Sequence, residues 1–222
     1  MKTLLRLFGC LLLCNVLNSC QVASLIKQGT TFYQGAVEMK DGSMVEGRIG
    51  GLRSSNFSSA AKKVSLKTES GRKIIPSADV KYLYLWDKDH PELKNQLIYS
   101  DFQLTYTWKK KEHVKKYKGW LYAEYIGENL VIASRGNWYS LDRKSGGLVT
   151  TYERSSGIEY YGLRRGDSIP EYICSSNTGK KSMREMWSEY LKDDPDLVKK
   201  IVDKEIEPLD FKAITDAYSP KQ

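Results

Sequence analysis

The chain reads as a mainly β protein of the α+β kind: a small N-terminal β-barrel or roll, then an antiparallel β-sheet meander, then short C-terminal helices. Three observations predict this. From Phe32 to Cys174 apolar and polar residues alternate in short runs, separated by turn residues at a spacing of roughly ten. Fifteen tyrosines and five tryptophans supply side chains with high strand propensity. Beyond residue 180 the apolar period changes from two to that of a helix.

Residues 1–19 read as an export signal, with Lys2 and Arg6 before an apolar core from Leu4 to Leu17. Leu17-Asn18-Ser19-Cys20 is close to the lipobox of bacterial lipoproteins, so lipidation at Cys20 is expected. The apolar run is broken by Asn15, Asn18 and Ser19, whereas a membrane-crossing helix needs about 20 apolar residues. Acyl chains contribute about 0.8 kcal/mol per buried methylene, which holds a protein on a membrane without spanning it. The alternative is a plain secretory cut near Ser19 or Ala23. Cys10 and Cys14 leave with the signal, and lipidation of Cys20 strands Cys174. In the secreted alternative Cys20 and Cys174 are free to pair. Within Tyr172-Ile173-Cys174 the cysteine reads as a small apolar strand residue.

A lipidated tether over 20–29 leads into a small barrel-like unit over 30–86. It opens with Phe32 to Met39 and Met44 to Ile49 around Asp41-Gly42, a dipeptide that tolerates the positive φ of a hairpin turn. Gly50 to Ala61 is rich in Gly, Ser and Asn and is expected as loop. Lys63 to Thr68 and Arg72 to Pro76 flank a Ser70-Gly71 turn, and Val80 to Trp86 closes the unit as a fifth strand. Residues 87–96, with Pro91, read as a linker. An antiparallel sheet unit over 97–176 follows, with strands at Leu97 to Lys109, Lys116 to Ile126, Asn129 to Ser134, Asn137 to Asp142, Leu148 to Glu153, Gly157 to Leu163 and Glu171 to Cys174. A parallel sheet would need helical crossovers between them.

The helical segment covers 180–218. Met183, Met186, Trp187, Tyr190 and Leu191 fall at helical spacing, and Ser182 with Glu185 predicts a capping box. Asp194-Pro195 starts a second helix with Leu197, Val198, Ile201 and Val202 on one face; Leu209 to Tyr218 forms a third. These faces need an apolar partner, for which the second sheet is the obvious support.

The net charge is +8, and loss of Lys2 and Arg6 with the signal lowers it by two. A basic exported protein meets lipid headgroups, acidic glycans and peptidoglycan before nucleic acid, so no nucleic-acid partner is expected. Lys109-Lys110-Lys111-Glu112-His113-Val114-Lys115-Lys116-Tyr117-Lys118 has two readings. In one, Lys109, Lys110, Lys111, Lys115 and Lys116 bind an anionic lipid or glycan, with Trp108 and Trp120 as stacking platforms for sugar. In the other the lysines are a solvated turn that guards an edge strand.

No Gly-x-Ser-x-Gly elbow, His-Glu-x-x-His, phosphate-binding glycine loop or Cys-x-x-Cys pair is present in the sequence. Asp87, Asp89 and His90 have a spacing that metal ligands use, but the stretch lacks further ligands and reads as a solvated turn before Pro91. No cofactor, metal or catalytic residue is expected. Two distant carboxylates converging for glycoside hydrolysis remain a rival.

The run Gly35-x-Val37-x-x-x-Asp41-Gly42-x-x-x-x-Gly47-x-Ile49, the strand Lys63-Val64-Ser65-Leu66, the segment Ile74 to Tyr82, the stretch Tyr160 to Asp167 and the ending Tyr190 to Leu197 resemble a broad group of exported proteins and lipoproteins of Bacteroidetes-type bacteria. The resemblance implies a shared fold and export, and defines no activity. The expected role is a membrane-anchored, non-catalytic envelope interaction or assembly module. Its partners would be the membrane, through the lipid anchor, and envelope proteins or an anionic glycan or lipid. A glycan-binding accessory protein using sheet aromatics is the alternative. Gln21-Val22-Ala23-Ser24 lacks an acidic run, which points to the periplasmic face of the outer membrane; secretion is the other location.

Overall fold

Strand β1 (Tyr33–Met39) and strand β2 (Met44–Ile49) pair around a turn in which Gly42 takes φ +85° and the Asp41 carboxylate accepts from Ser43 N at 2.9 Å. Those two features are what the Asp-Gly dipeptide is suited to supply. The computed structural model describes residues 33–49, 57–108, 111–142, 144–152 and 157–220, without the side chains of 104–113. The signal segment and Cys20, and with them Lys109 and Lys110, lie outside the described residues.

The other strands are β3 (Phe57–Ser58), β4 (Lys63–Thr68), β5 (Gly71–Pro76), β6 (Val80–Trp86), β7 (Asn95–Trp108), β8 (Lys111–Ile126), β9 (Leu130–Arg135), β10 (Trp138–Leu141), β11 (Leu148–Thr151), β12 (Glu159–Arg164) and β13 (Glu171–Ser175). Ten of them form one sheet in the order β13-β12-β9-β8-β7-β6-β1-β2-β4-β5. The fold is mainly β with antiparallel neighbours, as the alternation predicts. The expected linker holds turns, yet β6 and β7 on either side of it pair directly, Leu83 opposite Leu97.

Two expectations about the strands are corrected. The second half is not a simple meander: β10 and β11 leave the main sheet and form a three-stranded sheet with β3, so β9 pairs with β12 instead. The Gly50–Ala61 loop therefore contains a strand, Phe57–Ser58, which pairs with Trp138 and Tyr139. That pairing joins segments about 80 residues apart, beyond what a local pattern can show. One parallel bridge, Glu171 to Gln103, brings β13 back to β7, so that β7, β8, β9, β12 and β13 make a partial ring.

Three apolar clusters follow from these layers. The small sheet contributes Phe57, Tyr139 and Leu148 to a core with Val37, Leu66, Leu83, Leu85, Leu97 and Trp120. Inside the ring, Phe102, Leu121, Ala133 and Tyr161 pack together with Tyr117 and Tyr172. The outer face of β9, β12 and β13 carries Leu130, Ile132, Tyr160 and Cys174, and the helices dock there.

Helices α1 (Lys180–Tyr190), α2 (Pro195–Val202) and α3 (Phe211–Ala217) bury Met183, Trp187, Leu197, Ile201 and Ile214 in that cluster. The expected capping box at Ser182 and Glu185 is not formed: α1 starts at Lys180 after Gly179, with no side-chain cap, which places Ser182 inside the first turn. Asp194 does cap α2, accepting from Leu197 N at 3.1 Å, with Pro195 in the first turn. Tyr190 crosses β12 so closely that a Cβ on Gly162 would lie 2.3 Å from its hydroxyl. Only glycine fits under the ring.

Cys174 is fully buried, and burial pushes its thiol up to about 12. A thiolate is the reactive form, so Cys174 is expected to resist a thiol reagent in the native protein and react once urea unfolds it. Fast native labelling would contradict this burial.

Candidate functional site

One face of β6 stays open to solvent. Val80, Leu83 and Leu85 face the core, which turns Tyr82, Tyr84 and Trp86 to the opposite side, where each is half-buried. Side chains two apart on a strand share a face, so the three rings form a strip along β6. The Tyr82 and Tyr84 rings are 6.2 Å apart. Lys81 Nζ lies 5.0 Å from the Tyr82 ring and Lys94 Nζ 5.4 Å from the Trp86 ring.

Register assigns the neighbours of the strip. Trp86 stands opposite Gln34, Tyr84 opposite Ala36 and Tyr82 opposite Glu38 on β1; on β7, Tyr84 stands opposite Gln96 and Tyr82 opposite Ile98. Ala36, a small residue between larger neighbours, is buried. Glu38 accepts from Lys81 Nζ at 2.8 Å and from Tyr84 Oη at 3.1 Å. The Lys81 hydrogen bond leads in holding its carboxyl below the usual range. Burial, together with that carboxylate, pushes Tyr84 up to about 12. At neutral pH the strip thus presents the neutral Tyr84 phenol beside an ionised Glu38 carboxylate and two amides.

At Trp86 the strip opens into a cleft. Strand β2 pairs with β4 at Arg48–Lys67 and Ile49–Leu66. The cleft measures about 770 Å3 and is lined by Gln34, Glu46, Arg48, Lys67, Thr68 and Trp86 among others.

The residues expected to bind ligand are distributed otherwise. Trp120 is fully buried, with Nε1 donating to Ala61 O at 3.0 Å and its ring edge-on to Phe57 at 5.6 Å. A sugar cannot reach it, so the stacking expectation for Trp120 is corrected. The side chain of Trp108 is outside the described residues. The lysine stretch is not a turn of ten residues: β8 begins at Lys111 and pairs with β7 out to Trp108. Lys115 and Lys116 are exposed but, as consecutive strand residues, point to opposite faces. The side chain of Lys111 is outside the described residues. The longer ribbon arises because strand propensity of Tyr, Trp, Val and Thr carries the pairing through the charged stretch. Asp87 and His90 form a turn in which the Asp87 carboxylate accepts from Asp89 N at 2.8 Å. Among the described residues no group of three metal-ligating side chains comes together.

Several strongly shifted tyrosines belong to the core. Burial raises Tyr139, Tyr161 and Tyr190. Glu124 on β8 is raised chiefly by burial, against hydrogen bonds from Ser134 and Thr150 that lower it. A carboxyl whose folded pKa exceeds its unfolded value holds more protons when folded, so stability falls as pH rises from 4.5 through the raised folded value. Glu124→Gln should therefore be more stable than the wild type at pH ~7, the gap closing toward pH ~4. Urea midpoints at both pH values measure this, and a gap independent of pH would refute it.

Sequence reasoning passed over the β6 strip because Tyr82, Tyr84 and Trp86 read as ordinary strand residues. Their alternation with Leu83 and Leu85 was the available signal. No protein-family model matches the chain, and comparison with curated proteins and with solved structures finds no match.

Proposed function

We propose that this protein is a lipid-anchored, non-catalytic binding module of the bacterial cell envelope that holds a glycan on the open face of its sheet. The half-exposed strip of Tyr82, Tyr84 and Trp86 carries the reading. Pyranose rings present C–H faces that pack on aromatic rings, and their hydroxyls pair with planar amides and carboxylates such as Gln34, Glu38 and Gln96. A row of rings on a rigid strand is preorganised, so little side-chain entropy is lost on binding. The anchor is Cys20, which would tether the module at the membrane while the sheet stays free to engage its ligand.

Affinity electrophoresis of the full chain through gels containing neutral and acidic polysaccharides tests the binding half. Retardation by at least one polymer, lost in Trp86→Ala, is the expected result. Unchanged mobility in every gel would end the glycan reading. Intact mass and membrane fractionation beside Cys20→Ala test the anchor, whose absence would leave the wild type soluble and without an adduct.

A further inference from the structure

Registers across five strands place Trp86 opposite Gln34, Gln34 opposite Arg48, Arg48 opposite Lys67 and Lys67 opposite Arg72. Directly opposed residues of antiparallel strands share a face. The five therefore form one continuous row across the sheet, beginning at the aromatic strip and ending in three cations. With strands about 4.8 Å apart, the row is about 19 Å long, enough for several sugar rings.

We propose that the row selects an anionic linear glycan, one bearing carboxylate or sulfate groups, which lies across the strands from Trp86 to Arg72. This rests on the reading above that the open face holds a glycan, and it adds the ligand's charge and its direction. Like charges directly opposed on neighbouring strands are destabilising. Protection of a sheet edge accounts for a cation on β5, the end strand. It does not account for Arg48 and Lys67, which stand on β2 and β4 inside the sheet. Among the described residues no carboxylate forms an ion pair with Lys67 or Arg72. Arg72 is braced by Nε donating to Ser65 Oγ at 2.9 Å.

The cleft gathers Gln34, Arg48, Lys67 and Trp86 of this row beside Lys73, Glu46 and Glu69. The cations suit carboxylate or sulfate, Arg by bidentate pairing and Lys as a point charge. The two carboxylates are acceptors for sugar hydroxyls. Ring, amide and cations in sequence match the apolar face, hydroxyls and charged substituent of an acidic sugar.

The test compares the full chain with Lys67→Glu and Lys67→Gln in gels containing a polyuronate such as alginate, or neutral hydroxyethylcellulose. Duplex DNA and phosphatidylglycerol vesicles serve as competitors. The expected result is retention on alginate about tenfold tighter than on the neutral polymer, lost by about tenfold or more in Lys67→Glu, less in Lys67→Gln, and weakened by salt. Lys67 is exposed, and unchanged melting of the variants shows that they fold. Retention on the neutral polymer equal to that on alginate and indifferent to Lys67→Glu would overturn the charge selection and leave the glycan reading standing. Competition by DNA or vesicles as strong as that by free alginate would overturn the glycan as ligand of this row. No retention on any polysaccharide would overturn both.

Discussion

Trp120→Ala is expected to cost about 3–5 kcal/mol, the range for removing a large aromatic from a packed core. For a chain of this size that lowers Tm by about 6–20 °C. Trp120 packs between Phe57 and Tyr99, with centroids at 5.6 and 5.2 Å, so its loss leaves a cavity between the main and small sheets. The same substitution also removes one of the two donors to Ala61 O, which accepts from Nε1 and keeps only Ser77 Oγ, at 2.8 Å. The segment around Ser59 is bound to this residue a second time, because Trp120 N donates to Ser59 O at 2.7 Å. A neighbouring Cβ at Gly119 would come within 2.6 Å of that oxygen, so the backbone approach has no slack to refill the void. Thermal melting by circular dichroism measures the loss. A fall in Tm under about 3 °C would mean that Trp120 is not the keystone of this core.

Trp187→Ala should be comparably severe, again about 3–5 kcal/mol, on the other side of the molecule. The Trp187 ring is fully buried against Tyr190, centroids 6.0 Å apart, and Nε1 donates to Pro208 O at 2.9 Å. It thus ties α1 to the chain leading into α3 as well as to the sheet. Because β9 and β12 support the helices on one face and line the partial ring on the other, the variant should melt in one transition. Calorimetry resolving a separate early transition would show instead that the helical layer unfolds alone.

How far the sequence could be read differs by kind of contact. The β1–β2 hairpin and α2 were legible because their signals are local: Asp41-Gly42 sets a turn, and Asp194-Pro195 caps and starts a helix. The mainly β character followed from alternation alone. The small sheet was not legible, since Phe57 pairs with Tyr139 and nothing near Phe57 encodes that distance. Alternation told that Tyr82, Tyr84 and Trp86 share a face, but which face is buried depends on what packs on the sheet. The same limit misjudged Trp120: it follows a lysine-rich stretch and a glycine in the chain, while its burial is owed to Phe57, Ala61 and Tyr139, brought from elsewhere. The cationic row required four inter-strand registers at once, each set by a different turn or pairing.

The direct pairing of β6 with β7 governs how the chain can be cut. Composition marks 87–96 as a natural place to divide a gene, since it is polar, contains proline and separates two runs of strands. Yet the backbone bonds from Tyr82 to Leu85 are made to Asn95 to Ile98, across that very stretch. A fragment ending there would carry a raw strand edge, and its complement another, each a template for pairing with unrelated copies. Shuffling of this architecture between genes is thus expected to move both halves together, and pieces expressed apart are expected to aggregate unless they are supplied together and rejoin along that edge.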